Sequence, residues 1–290
     1  MRRSRLAFSA IVALLAFATL AADSARAAVL YASTAAGDTG QLYTLNPANG
    51  AMVQNIGPLN DAAGTNYPIT GLAFHPTTGV LYGATGNNPA ATAARLVTIN
   101  PTTGLVTVIG SFNAGPTNSS GTPSTMGDLA FDSAGNLFGV GTIGGPQLYS
   151  INAATGQATV IGSTGLTSTT GGGVEISASG VIYGTPTASR FGTYDGVTGA
   201  FTNIANPVKP SGGGYGALAF DGSTLYGLNV GSGSPPPTNL VTIDPATGAV
   251  TNLGASIASL DAIAFAPIPE PAAWTLLLAP AALAGLRRRR

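Results

Sequence analysis

Two short phrases alternate along residues 28–267, and that alternation constrains the fold more tightly than any other feature of the chain. The first phrase is ITGLAFHPTTGVLYGATG from Ile69, echoed by MGDLAFDSAGNLFGVGT from Met126, GGVEISASGVIYGTP from Gly172 and YGALAFDGSTLYGLNV from Tyr215. The second is ARLVTINPTTGLVTVIG from Ala94, with copies starting at Gln41, Gln147, Arg190 and Asn239. Each phrase is a pair of alternating apolar runs around a tight turn, which predicts a β-hairpin. In the second phrase Asn46, Asn100, Asn152, Asp195 and Asp244 open the turn, and Gly50, Gly104, Gly156, Gly199 and Gly248 close it. An Asx side chain bonds to the turn backbone and Gly accepts φ > 0, so turn formation, and not metal ligation, accounts for these residues.

The closing glycines recur at intervals of roughly 40–55 residues, the spacing of four-stranded propeller blades. Five second phrases predict five blades. The first phrase has four complete copies and an orphan pair, LDAIAFAP from Leu260 and VLYAST from Val29. These fragments from opposite ends complete one another if the last strand joins the first blade and closes the ring. The expectation is an all-β, five-bladed propeller of four antiparallel strands per blade over 28–267, flanked by an N-terminal signal helix and a C-terminal hydrophobic helix. The architecture resembles exported propellers of the WD40-like and NHL-like kind, without their signature dipeptides. Turns within phrases are short and connections between phrases are long. Strand alternation puts the long loops on one face, where either binding or tolerated insertion is expected.

The termini carry most of the positive charge. Of the 11 cations, only Arg95, Arg190 and Lys209 fall within 28–267, against nine carboxylates, so the central domain is acidic at −6. That balance excludes a nucleic-acid surface, which needs a basic face. The chain has no Cys, which removes disulfides, thiolate nucleophiles and Cys-ligated metals. Residues 1–27 combine a basic start, an apolar run from Leu6 to Ala22 and a small-residue site at Ala25-Arg26-Ala27. This is the layout of a secretory signal peptide cleaved by signal peptidase after Ala27; a permanent anchor is the alternative.

The segment 268–290 carries Pro269-Glu270-Pro271, an uncharged stretch from Ala272 to Leu286, and Arg287, Arg288, Arg289 and Arg290. The stretch is shorter than the ~20 residues of a comfortable span, and Pro280 weakens it as a helix. The three parts in this order resemble the PEP-CTERM sorting tail of Gram-negative bacteria, with Ile268 where the family usually has Val. The resemblance implies processing by an exosortase after transient anchoring in the inner membrane, and delivery to the cell surface or the exopolysaccharide matrix. A Pro-rich linker before an ordinary tail anchor is the alternative.

Three acidic residues stand out on the inner strands. Relative to the Phe that ends GLAF, Asp128 takes a place held by Gly71, Gly173 and Ala217; Glu175 replaces Ala73, Ala130 and Ala219; and Asp261 aligns with Thr70, Gly127 and Gly216. Alternation aims Asp128 and Glu175 to the same side, near the mouth of the central channel. Such carboxylates would bind Ca²⁺ through oxygen, or simply line a water-filled channel. The only His, His75, lies in a turn where other copies have Asp132, Ser177 and Asp221, so no Ser-His-Asp constellation is expected. The preferred reading is a non-catalytic binding module for a polysaccharide or matrix protein. A glycan hydrolase or lyase using Asp128, Glu175 and Asp261, and a structural coat protein with no specific ligand, stand as alternatives.

Overall fold

The computed structural model describes residues 28–35, 39–87, 90–113, 125–141, 146–167 and 172–267. The expected signal helix, the cleavage site at Ala25 and Ala27, and the sorting segment from Ile268 lie outside the described residues. The propeller unit runs from Val29 to Pro267.

Alternating apolar residues punctuated by glycine turns give a chain of short strands. The first three are β1 (Leu30–Thr34), β2 (Gln41–Leu45) and β3 (Met52–Pro58). Blade 2 follows as β4 (Ile69–Phe74), β5 (Leu81–Thr85), β6 (Arg95–Ile99) and β7 (Val106–Ser111). Blade 3 is β8 (Met126–Phe131), β9 (Leu137–Gly141), β10 (Gln147–Ile151) and β11 (Ala158–Ser163). Blade 4 is β12 (Gly173–Ile176), β13 (Ile182–Thr187), β14 (Arg190–Tyr194) and β15 (Phe201–Ala205). Blade 5 is β16 (Gly214–Asp221), β17 (Thr224–Val230), β18 (Thr238–Ile243) and β19 (Val250–Ala255).

The last strand, β20 (Leu260–Phe265), pairs antiparallel with β1, so blade 1 reads β20-β1-β2-β3 and the ring closes on itself. Five sheets of four strands result, as the two alternating phrases require. Among the described residues there is no α-helix, only a short 3₁₀ turn at Ala90–Thr92, and no helix long and apolar enough to cross a membrane.

The core is divided among the blade interfaces. Each of five buried apolar clusters joins one blade to the next, including the closing contact of blades 5 and 1 through Leu228, Leu240, Leu30 and Ile263. Strand alternation explains the division. On each inner strand, Leu72, Leu129, Val174, Leu218 and Ile263 pack against the preceding blade, whereas Ala73, Ala130, Ala219 and Ala264 face the following one. An aromatic pair repeats on the same plan: Tyr31 meets Phe74, Tyr82 meets Phe131, Tyr183 meets Phe220 and Tyr226 meets Phe265, at centroid distances of 5.4, 5.2, 5.9 and 4.9 Å. Each such pair contributes about 0.5–1.5 kcal/mol beyond its buried area.

The second-phrase turns form as their residues dictate. Asn100 Oδ1 accepts from the amides of Thr102 and Thr103 at 2.9 and 3.2 Å, and Asp195 Oδ1 accepts from Val197 and Thr198 at 2.8 Å each. The amides of Thr198 and Val197 hold the Asp195 carboxyl below the usual carboxylate range, and those of Ala246 and Thr247 do the same for Asp244.

The closing glycines have a second task that links blade to blade. Each seats against the outer strand of the preceding blade, usually at the glycine of its VIG or NIG run. Gly156 abuts Gly110, Gly199 abuts Gly162, Gly104 abuts Pro58 and Gly57, and Gly50 abuts Gly254 across the ring closure. Blade 4 departs from the rule, since Gly248 seats on Ala205. The glycine of the outer strand lies at a β-bulge in blades 1, 2, 3 and 5, which turns its backbone toward the next blade.

Gly199→Ala is therefore expected to cost about 2–4 kcal/mol: roughly 1 for φ +73° and the remainder for a Cβ placed 2.6 Å from the Gly162 carbonyl. Gly180→Ala has a similar φ of +84° but open space around it, so it is expected to cost only about 1 kcal/mol. Urea midpoints of the two variants decide whether the seat, or only the backbone angle, demands glycine.

Candidate functional site

The three inner-strand carboxylates come from β8, β12 and β20. These strands lie side by side in register with their neighbours around the axis: a Cβ on Gly71 would stand 2.7 Å from Asp128 Cα, and one on Gly172 would stand 2.9 Å from Gly127 Cα. Small residues are needed at these places because backbone meets backbone. Each inner strand is also a sheet edge, with one row of N–H groups unpaired within its own blade.

Asp128 answers that edge. Its Oδ1 accepts from the Leu129 amide at 2.9 Å, and its Oδ2 accepts from the amides of Val174 and Leu218 at 3.1 Å each. The three donors occupy the same repeat position in blades 3, 4 and 5, so one fully buried carboxylate holds three blades together. Burial raises the Asp128 carboxyl well above the usual range, against the opposing pull of the three amides, and the neighbouring Glu175 raises it further.

Glu175 repeats the arrangement one layer on. It stands where other blades have Ala, on the side facing blade 5, and its Oε1 accepts from the Ile176 amide at 2.8 Å. The Phe220 amide of blade 5 also donates to it. Burial pushes its carboxyl up to about 8. Asp261 is the bulged residue of β20, skipped in the pairing between Leu260 and Ala262, as Thr70, Gly127 and Gly216 are in β4, β8 and β16. Its side chain lies over Gly216, and burial alone raises its carboxyl to about 7.

Two expectations need correction. Asp128 neither sits at a channel mouth nor lines a water-filled channel, because edge amides of three blades close over it. The three carboxylates also fail to form a Ca²⁺ cage: among the described residues no group of three His, Cys, Asp or Glu converges to hold a metal. Asp128 has its oxygens turned to N–H donors, and Asp261 stands apart on the bulge of another blade. Alternation along single strands was readable in the sequence; the amides that the ring brings from other blades were not.

His75 is a turn residue, as its unlike counterparts suggest. Its Nδ1 accepts from the amides of Thr77 and Thr78 at 3.2 and 3.3 Å, and its ring packs on Phe131 at 5.0 Å. The described parts of the long loops are tied down by side chains that sequence reading passed over. Asn229 is fully buried; it accepts from the Ser211 amide at 2.7 Å and donates to the carbonyls of Gly212 and Gly214. Thr85 and Thr34 occupy the matching place at the end of the second strand in their blades, donating to the carbonyls of Thr92 and Thr39. Asn66 does the same for the loop before β4, bridging Gly40 and Asn60. The available signal was a hydrogen-bonding residue recurring at the end of the LYGxT run.

Among solved structures the chain is similar to TolB from Acinetobacter baumannii, at 14% identity and a TM-score of 0.43, covering 92% of this chain and 73% of that one. It is similar also to a protein of unknown function from Bacteroides caccae, at 12% identity and a TM-score of 0.46, covering 84% and 100%. A third likeness is to the S511A mutant of puromycin hydrolase complexed with PGG, at 16% identity and a TM-score of 0.37, covering 64% of this chain and 28% of that one. No curated protein matches the chain. The model of a family described as a repeat of unknown function, DUF6923, matches residues 31–229, most of the propeller, and the chain belongs to that family.

Proposed function

We propose that the protein is an exported, exosortase-processed surface or matrix protein of a Gram-negative bacterium whose propeller is a non-catalytic binding module. The observation that carries the non-catalytic part is the engagement of Asp128 and Glu175. Acid–base catalysis on glycans needs two carboxyls facing one substrate across a gap of about 5–9.5 Å. Here Asp128 spends both oxygens on amides of three blades, Glu175 accepts from the Ile176 amide of its own strand and the Phe220 amide of blade 5, and the lone His75 spends its Nδ1 on its own turn.

Export and sorting are supported by residues 1–27, with their small-residue site at Ala25 and Ala27, and by Pro269-Glu270-Pro271 followed by Arg287 to Arg290. Signal peptidase and an exosortase are the partners during processing. The ligand class that suits a domain with three cations and nine carboxylates is a neutral polysaccharide or a matrix protein, not an anionic polymer.

The test is retention of the protein on exopolysaccharide from its own host, alongside an assay for reducing ends released from the same polymer. Retention without release is expected. Release that is lost in Glu175→Gln would overturn the non-catalytic reading, and absence of retention would overturn the binding one. Glu270→Ala is expected to leave the unprocessed chain in the inner-membrane fraction; a processed mass unchanged from wild type would overturn the sorting assignment.

A further inference from the structure

Both ends of the ring leave the propeller at its short-turn end. Strands alternate in direction, so β1 runs away from that end and β20 returns to it. There the Ala266 amide donates to the Val29 carbonyl at 2.9 Å, one bond beyond the β1–β20 ladder. β20 is the innermost strand of blade 1, beside the axis. The connections that follow are short. Residues 267–271 separate Ala266 from the uncharged stretch that begins at Ala272, and residues 23–28 separate the apolar run ending at Ala22 from Val29. Fully extended, connections of this length reach about 20–25 Å.

That reach decides which end a membrane tether allows to face the bilayer. To bring the long-loop end down, the chain would have to run from the axis outward past β1, β2 and β3, about 14 Å at the usual strand spacing. It would then have to follow the blade for a further strand length of about 17–20 Å. The whole path, about 30–35 Å, exceeds the reach of either connection. Side chains at the two ends differ as well. Met52, Val80, Leu105, Val181 and Val197 are exposed on or beside the short turns. The three cations of the ring lie at the opposite end, Arg95 and Arg190 at the starts of β6 and β14 and Lys209 in the loop before β16. Asp132, Asp195, Asp221 and Asp244 also stand in or beside the short turns, so anionic headgroups repel that end and only a covalent tether holds it at a bilayer.

We infer that the tethered protein stands with its short-turn end against the lipid bilayer and its long-loop end turned outward. The inference rests on the export and sorting reading above, because it takes the runs 6–22 and 272–286 as the membrane-inserted ones. Both runs then enter one bilayer without straining the closed ring, since Val29 and Ala266 are hydrogen-bonded neighbours at the same end. The loops over 57–68, 205–214 and 231–237 are the parts of the ring that a matrix ligand meets first. The turns at 75–79 and 195–200 are shielded by the membrane until the tail is cut. Cleavage after Ala27 and near Pro269 falls within a few residues of the same Val29–Ala266 bond, so processing of both ends frees one face of the ring.

The chain has no Cys, so a single introduced thiol reports position without background. The test uses the full, uncleaved chain carrying Thr77→Cys or Val197→Cys on the short turns, or Asn206→Cys or Ser232→Cys in the long loops. All four positions are exposed. Each variant is labelled with a fluorophore and reconstituted in vesicles whose lipid headgroups carry nitroxide quenchers. Quenching at 77 and 197 is expected to be at least threefold stronger than at 206 and 232. Gly-Ser linkers of about 40 residues, placed before Ala28 and after Pro267, reach about 35 Å and are expected to erase the difference. Equal or reversed quenching in vesicle-bound protein would overturn the orientation and leave the sorting reading standing. Failure of the chain to enter vesicles would overturn the sorting reading together with the orientation. A difference that survives the long linkers would overturn the tether as its cause.

Discussion

Asp128→Ala is expected to lower the stability of the propeller by about 3–5 kcal/mol. Deleting the carboxyl leaves three buried amides, those of Leu129, Val174 and Leu218, without an acceptor. Each orphaned buried donor costs about 1–3 kcal/mol, and no water is expected to replace the lost oxygens where backbones abut this closely. Asp128→Asn keeps one oxygen but turns an NH₂ toward amides that need an acceptor, so a loss of about 2–3 kcal/mol is expected. Because the partners belong to blades 3, 4 and 5, the damage should be shared: hydrogen exchange of β12 and β16 should quicken together with that of β8. A loss below 1 kcal/mol for the Ala variant would mean that the carboxylate is a passenger and that packing alone aligns the inner strands.

The second large effect is on the dependence of stability on pH. Asp128, Glu175 and Asp261 are all raised by burial, Glu175 to about 8 and Asp261 to about 7. A folded state with the higher pKa holds the proton more tightly than the unfolded chain. Its contribution is therefore complete below the ordinary carboxyl value near 4 and is lost as pH rises through about 7 and 8. The propeller should therefore weaken progressively from mild acid to about pH 8 and level off above that. Most proteins with salt-bridged carboxylates behave in the opposite way. Glu175→Gln removes one titration while keeping an oxygen for the Ile176 and Phe220 amides, so it should flatten the profile and stabilise the protein above pH 8. Denaturant midpoints between pH 5 and 9 read this directly; a wild-type profile that rises with pH would exclude the assignment.

The fold was legible from residues 28–267 because a propeller is a local structure repeated. Each hairpin is specified within about 17 residues by period-two apolar alternation and an Asx–Gly turn, and every copy reports the same rule. Even the closure could be read, since LDAIAFAP lacks a partner at one end and VLYAST lacks one at the other. The carboxylates were legible as exceptions but not as to purpose. Asp128, Glu175 and Asp261 broke the small-residue rule visibly, yet what each one touches is set by neighbouring blades tens of residues away, and no spacing records that the partners are edge amides. Asn229 was missed for a related reason: an Asn after LYGL reads as an ordinary strand-end residue until the loop it holds folds back over it.

The pairing of β20 with β1 has a kinetic consequence. Ser256 Oγ bonds to the Gly50 carbonyl across 206 positions of sequence, and Leu30 pairs with Phe265 over a still longer span. Blades 2 to 5 consist of contacts within short stretches and can form as the chain emerges. Blade 1 cannot, since its innermost strand is the last strand of the propeller to be made. Until Leu260–Phe265 arrives, β1 presents an open edge able to pair with any other extended chain. Synthesis that stops anywhere before Leu260 therefore yields a nearly finished but sticky object, and the ring is latched only by the last of its twenty strands.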